Sequence, residues 1–268
     1  MIELEKPFCA ISQAIRQQHP LVHHITNYVT AGFCADAALA IEASPMMADE
    51  PAEMGEIAGM SDALVCNLGT FNVRQQESFF LAAKTAHAKG TPVVLDPVGV
   101  MSSQLRLETA QQLLTSGVIT ILKGNSSEGR TLLGWDKGPG KGVDSLSDAH
   151  PEKIAAALAE TFHCTAVVTG AVDAVSDGRR HYLGMNGTPY LSRITGAGCM
   201  TGTLMGAAAA VCQDGIMAAL WAITCMNTAA EEAEKDCPGP GTFRVRLMDA
   251  LSHHDGTTLA ARFKGKRL

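Results

Sequence analysis

Tryptophan, tyrosine and phenylalanine make up only 5% of the 268 residues, so alanine and methionine have to fill most of the interior. Positive charge is also in short supply. Lys and Arg number 21 against 27 Asp and Glu, a net charge of -6, which excludes the basic face that a nucleic acid or an anionic membrane requires. An uninterrupted apolar run of about 18 residues, the minimum for a membrane span, is missing. The nearest approach, 198–230, is broken by Gln213, Asp214 and Gly215 and reads as two buried helices joined by a turn. The eight cysteines form no CxxC pair and have no histidines at metal-ligand spacing. That excludes a zinc ribbon or a disulfide scaffold and predicts reduced thiols. The acidic start MIELEKPF lacks the charge and apolar core of a secretion signal, so a cytoplasmic protein is expected. Repeats, linkers and low-complexity tails are absent too. What is present, 268 residues of which 46% are hydrophobic, fits a single α/β domain spanning 1–268 with a small-molecule partner.

Short β-rich runs alternate with helical periodicity up to about Gly170, the pattern of a mostly parallel sheet with helices on both faces. Strands are expected at 21–26, 63–67, 92–96, 118–122 and 166–169, most of them apolar throughout, as strands buried on two sides must be. The segments 73–90 and 151–163 read as amphipathic helices, the first closed by Gly90. Beyond Gly170, 171–185 reads as an antiparallel hairpin turning at Asp177 and Gly178, and the chain then ends in helices from Gly198 onward. The Gly/Pro-rich stretch 135–145 is the one such loop long enough to be mobile.

Ligands of open parallel sheets bind beyond the carboxyl ends of the strands, which makes the residues after each apolar run the place to look for chemistry. Here those residues are NLGT (67–70), LDPVG (95–99), LKGNSSE (122–128), VTG (168–170) and TGAGC (195–199). Singly, each is what a turn needs; together they supply a carboxylate, a cation, an Asn/Glu pair and a glycine-bounded helix start. A dinucleotide fingerprint is excluded for TGAGC, because Gly196, Gly198 and Gly202 have the wrong spacing, lie late in the chain and precede two helices with no strand between. The phosphate-loop pattern GxxxxGK[ST] is absent. What is left is a glycine turn entering a helix, whose free N–H groups and positive dipole end suit a transferring phosphoryl group. Asn125 and Glu128 are spaced either for a helix capping pair or for supporting a hydrated divalent cation. Lys123 would bring positive charge to phosphate oxygens, and Asp96 a carboxylate for metal or hydroxyl. Met46 and Met47 suit a flat, partly apolar ligand and are equally plausible as core. His23 and His24, adjacent on a strand, face opposite sides and read as structural.

With these residues in hand, the chain resembles the hydroxyethylthiazole kinases of the ribokinase-like superfamily. PLVHHITNYVT, ASPMMA, NLGT, LDPVG, KGNSSE, VTG, TGAGC and PGPGTF occur in that family's order and approximate spacing over nearly the whole length. The resemblance implies a ribokinase-like α/β fold and ATP-dependent phosphorylation of the primary alcohol of 4-methyl-5-(2-hydroxyethyl)thiazole, in thiamine biosynthesis or salvage. It further implies Mg2+ and a homotrimer with active sites at subunit interfaces. Asn27, Met47, Gly69 and Gly196 would contact the substrate, and Lys123 and Thr169 would contact ATP. Asp96, Asn125 and Glu128 would serve magnesium. Ala197, Gly198 and Cys199 would form the catalytic anion hole, with Cys199 either the proton acceptor or a small spacer. Glu42, Asp36, Ala171 and Lys123 depart from residues usual in the family. The alternative is a ribokinase-like kinase of another small heteroaromatic alcohol, a hydroxymethylpyrimidine or pyridoxal.

Overall fold

The computed structural model describes residues 3–135, 150–253 and 255–268. Its elements follow the chain as α1 (Glu5–Gln18), β1 (Leu21–Ile25), α2 (Ala31–Ala40), β2 (Ser44–Met47), α3 (Met54–Met60), β3 (Ala63–Asn67), α4 (Val73–Lys89), β4 (Val93–Asp96), α5 (Gln104–Thr115), β5 (Ile121–Asn125) and α6 (Ser126–Leu132). After 136–149 come α7 (Pro151–Phe162), β6 (Thr165–Thr169), β7 (Asp173–Ser176), β8 (His181–Gly184), α8 (Ala197–Val211), α9 (Gly215–Glu234), α10 (Pro240–Leu251), α11 (Gly256–Arg262) and β9 (Gly265–Arg267).

The nine strands among the described residues lie in one open sheet of order β2-β1-β3-β4-β5-β6-β7-β8-β9. Neighbours from β2 to β6 pair in parallel and those from β6 to β9 antiparallel. Successive strand residues alternate between the faces, so two cores form. Val22, Val65, Val94, Ile121, Val167 and Val175 pack under α1, α2, α8, α9, α10 and α11. Leu64, Cys66, Leu95, Leu122, Ala166 and Val168 pack under α3, α4, α5, α6 and α7. Burial on both faces explains why these strands read as continuous apolar runs. Local signals set the helix ends. Asn72 caps α4 by accepting from the N–H of Gln75, and Gly90, at φ +79°, stops it in the left-handed conformation.

Helix α8 lies closer to the sheet than side chains ordinarily permit. A Cβ at Gly206 would stand 2.8 Å from Val65 and 3.1 Å from Val22, so only glycine allows this approach.

Three expectations need correction. The strand expected at 118–122 is Ile121–Asn125, because Lys123, Gly124 and Asn125 are drawn into the ladder by Val167, Val168 and Thr169 of β6. Edge strand β2, beside β1, was not expected as a strand of its own. Nor does the chain end in helices: β9 returns to pair with β8, Tyr182 opposite Arg267. The hairpin is as expected, with Asp177 and Gly178 between β7 and β8. Of the loop expected at 135–145, all but Trp135 lies outside the described residues.

Candidate active site

The carboxyl ends of β1, β3, β4 and β5 meet the start of α8. Gly196 takes φ +93°, and a Cβ there would come within 3.0 Å of Thr30 Cγ2, so glycine is required on two counts. Past that turn, Cys199 meets two asparagines. The Asn27 side-chain amide donates to Asn67 Oδ1 at 2.9 Å and to Cys199 Sγ at 3.5 Å. The Asn67 amide donates to Asp96 Oδ2 at 3.0 Å and to Cys199 Sγ at 3.3 Å. Both amide orientations are dictated by their carbonyl oxygens: Asn27 Oδ1 accepts from the Thr30 N–H and hydroxyl, and Asn67 Oδ1 also accepts from Gly69 N–H. A Cβ at Gly69 would lie 2.8 Å from Asn27 Cβ, so this turn too is packed for glycine.

Asp96 leads to the cation. Lys123 Nζ donates to Asp96 Oδ2 at 3.0 Å, and both side chains are buried. Burial alone would push the lysine down, but Asp96, then Cys199 and Glu128, hold it above its ordinary value. Burial likewise pushes the Asp96 carboxyl up, opposed by Lys123 and Asn67. The pair is therefore an ammonium and a carboxylate that depend on each other.

Asn125 and Glu128 form the capping box of α6. Asn125 Oδ1 accepts from the Glu128 N–H at 2.9 Å, and Glu128 Oε2 accepts from the Asn125 N–H at 2.8 Å. Glu128 Oε1 also accepts from Gly99 N–H at 3.2 Å. Burial, and after it the nearby charge of Asp96, pushes Glu128 up. The described residues hold no group of three His, Cys, Asp or Glu side chains able to enclose a metal. They do hold two buried carboxyls beside a single ammonium, and Asp96 Oδ1 has no hydrogen-bond partner. One or two carboxylates with vacant lone pairs match magnesium, which keeps its waters and takes its other ligands from phosphates. The residues present therefore fit that ion best through Asp96, whose Oδ1 is unpartnered; the oxygens of Glu128 and Asn125 each already accept one hydrogen bond and keep a lone pair.

On the other flank of the helix start, a cavity of about 530 Å³ is lined by Thr169, Asp173, Ala197, Gly198, Thr201 and Asn227, with Met185, Leu191, Ile223 and Met226 as apolar wall. The Thr169 hydroxyl donates to Gly124 O at 3.3 Å. Asp173 accepts from Gly170 N–H at 2.9 Å and from the Asn227 amide at 2.7 Å. Burial pushes its carboxyl up to about 6, with those two donors pulling it back. A carboxyl raised on folding binds more protons folded than unfolded, so its stabilising contribution is full below about pH 4 and is lost as pH rises to about 6. Asp173→Asn, which cannot ionise, is expected to gain on the parent by up to about 3 kcal/mol between pH 4 and pH 7, read by thermal unfolding. A pH-independent difference would contradict the assignment.

The structure thus gathers Asn27, Gly69, Asp96, Lys123, Asn125, Glu128, Thr169, Gly196, Ala197, Gly198 and Cys199 around one helix start. Met47 stands apart. It ends β2 opposite His24, with 37% of its surface exposed. His23 and His24 are structural, as expected: their Nε2 atoms meet Ala48 O at 2.9 Å and the Thr203 hydroxyl at 3.0 Å. Burial lowers both, His24 to about 4. Sequence reasoning did not single out Asn67, Asp173 or Asn227. Asn67 was visible only as the first letter of a turn motif, and Asn227 lies inside an apolar helix.

Residues 12–255 match the profile of the hydroxyethylthiazole kinase family. Relatives named hydroxyethylthiazole kinase include one from Alkaliphilus oremlandii, 40% identical over 98% of both chains, and one from Pyrococcus furiosus, 43% identical over 88% of this chain and 89% of its own. A solved hydroxyethylthiazole kinase from Pyrococcus horikoshii superposes with a TM-score of 0.90 at 35% identity, covering 98% of this chain and 99% of that one. A ribokinase-like superfamily protein from Enterococcus faecalis, 11% identical with a TM-score of 0.65 over 90% of this chain and 89% of its own, shares the fold. No helix among the described residues is long and apolar enough to cross a membrane.

Proposed function

The chain belongs to the hydroxyethylthiazole kinase family, and from that premise we propose that the turn from Gly196 to Cys199 is where the γ-phosphoryl group of ATP passes to the alcohol of 4-methyl-5-(2-hydroxyethyl)thiazole. The observation that carries the site assignment is the double face of one helical turn. Ala197 and Gly198 wall the 530 Å³ cavity, while Cys199 meets the asparagines at the ends of β1 and β3.

The cavity is the nucleotide pocket in this reading. Its methionines, Leu191 and Ile223 face the base, and Thr169 guides the phosphates toward Gly198. The free N–H groups that open α8 stabilise charge developing on the transferring group. The alcohol oxygen attacks the γ-phosphorus, the bond to the β–γ bridging oxygen breaks, and the hydroxyl proton passes to Cys199 Sγ, which takes it as the thiolate and ends as the thiol. Two N–H donors already converge on that sulfur, an arrangement suited to a sulfur that is negative before it takes the proton. Lys123 balances Asp96 from beneath the helix and adds positive potential under Gly198. Asp96 and Glu128 would hold magnesium, which when bound neutralises phosphate charge. Asn27, Gly69 and Gly196 border the acceptor side, with Met47 at its outer edge.

The single sheet formed by the nine strands among the described residues supports one kinase domain over 1–268. Beside Asn27, Tyr28 and Val29 are 82% and 52% exposed, an apolar rim that supports the reading of a homotrimer with sites at its interfaces. Eight unpaired thiols support a cytoplasmic location, where the enzyme serves thiamine biosynthesis or salvage.

The test is ADP release with ATP and Mg2+ against a panel of the thiazole alcohol, hydroxymethylpyrimidine, pyridoxal and ribose. The thiazole alcohol is expected to lead by at least about tenfold in kcat/KM. Preference for a different alcohol would reassign the acceptor, and ATP consumption independent of any alcohol would overturn the kinase site.

A further inference from the structure

Asn67 makes four directed contacts at the helix start, as many as Asn27, and no role has yet been attached to it. It ends β3, is buried, and uses both polar atoms of its amide fully. Oδ1 accepts from Asn27 Nδ2 at 2.9 Å and from Gly69 N–H at 2.9 Å. Nδ2 gives one hydrogen to Asp96 Oδ2 at 3.0 Å and the other to Cys199 Sγ at 3.3 Å. A primary amide has two donor hydrogens and two acceptor lone pairs, so this one is saturated and cannot turn without breaking several bonds.

We propose that Asn67 is the positioning residue of the phosphoryl transfer, anchored by Asp96, Asn27 and Gly69 so that its remaining N–H holds the Cys199 sulfur where the alcohol proton is delivered. This rests on Cys199 being the proton acceptor. The argument is geometric. Cys199 stands in the first turn of α8, where the backbone leaves its side chain free to occupy more than one staggered rotamer. Asn27 approaches from β1 at 3.5 Å and Asn67 from β3 at 3.3 Å, two donors from two strands that select one position for the sulfur. Asn67 is the better fixed of the two, because its second hydrogen bonds a carboxylate, a stronger class of contact than one between neutral groups. Through it the sulfur is tied to the pair of Asp96 and Lys123 beneath the same helix turn. The acceptor for the proton and the charges that meet the phosphates are thus held in register by one amide.

The experiment compares Asn67→Ala, Cys199→Ala and the double variant, each first checked for a cooperative thermal transition. Asn67→Ala is expected to lower kcat by about tenfold or more while both KM values stay within about twofold, since it acts on the reacting geometry rather than on substrate binding. Starting from Cys199→Ala, the same substitution is expected to cost about threefold or less, because the group it positions is gone. A second readout needs no turnover: iodoacetamide alkylation of the Cys199 peptide, followed by mass spectrometry without substrates at one pH, is expected to change by about threefold or more in Asn67→Ala, because the sulfur is released from the single position that Asn67 selects. Unchanged alkylation together with an equal kcat loss in both backgrounds would make Asn67 merely structural and overturn the proposal. Wild-type kcat in Cys199→Ala would instead overturn the proton-acceptor reading itself, a distinguishable result. If Asn67→Ala does not fold, Asn67→Asp keeps the acceptor contacts to Asn27 and Gly69 and removes the donation, and alkylation at the wild-type rate in that variant overturns the proposal.

Discussion

Gly198→Val leaves a folded protein that turns over about 10² to 10³ times more slowly, the loss expected when a donor to the transition state is blocked. Residue 198 lies inside α8, with none of the positive φ that Gly196 requires, so the backbone accepts a side chain and helix propensity improves. The damage is local. A Cβ at 198 would stand 3.0 Å from Lys123 Nζ, and the branches beyond it would enter the cavity that Gly198 lines. Valine therefore covers the N–H groups proposed to receive the phosphoryl group, and presses on the ammonium beneath them. Thermal unfolding is expected to stay near the parent value while kcat falls and ATP binds more weakly by calorimetry. Parental kcat/KM in this variant would remove phosphoryl transfer from the start of α8.

Lys123→Met is expected to fail in the opposite manner, in stability as much as in rate. Methionine keeps the length and apolar body of the side chain but leaves Asp96, 1% exposed, with a buried negative charge opposed only by Asn67. Removing one partner of a buried ion pair costs about 3–5 kcal/mol. The pH dependence follows. Without the ammonium, burial raises the Asp96 carboxyl further, so the folded state binds an extra proton, and the variant's stability is best at low pH and is lost as pH rises. The melting temperature of Lys123→Met relative to the parent is expected to drop more at pH 8 than at pH 5, with kcat reduced at both. A deficit that shrinks with rising pH would show that Lys123 does not balance Asp96.

The contrast between these variants indicates what could be read from sequence and what could not. The inner strands were legible because burial on both faces demands unbroken apolar runs, as at 63–67 and 166–169. The ends of β5 were not, since Lys123, Gly124 and Asn125 have no preference of their own for a strand and are held there by β6. Edge strand β2 is four residues long and contains Pro45, and β9 is three residues long with two of them charged, too little for any periodicity to register. The candidate site was legible as separate motifs because glycine, a capping pair and a strand-end carboxylate each have a recognisable local chemistry. Their joining was not. Asn67 meets Asn27 from 40 residues away, Asp96 from 29 and Cys199 from 132, and nothing in NLGT distinguishes an asparagine that ends a turn from one that gathers a site.

The shared wall at residues 197–199 also bears on ligand design. In the proposed reading the nucleotide cavity and the acceptor side are separated by this single turn at the start of α8, and the position between them carries no side chain. A single molecule joining a nucleoside to a heteroaromatic ring by a short anionic linker would cross that turn at Gly198 and occupy both sides at once. Because the two halves would be tethered, the second would bind at the high effective concentration set by the first, making the missing side chain the feature an inhibitor of this enzyme should be built across.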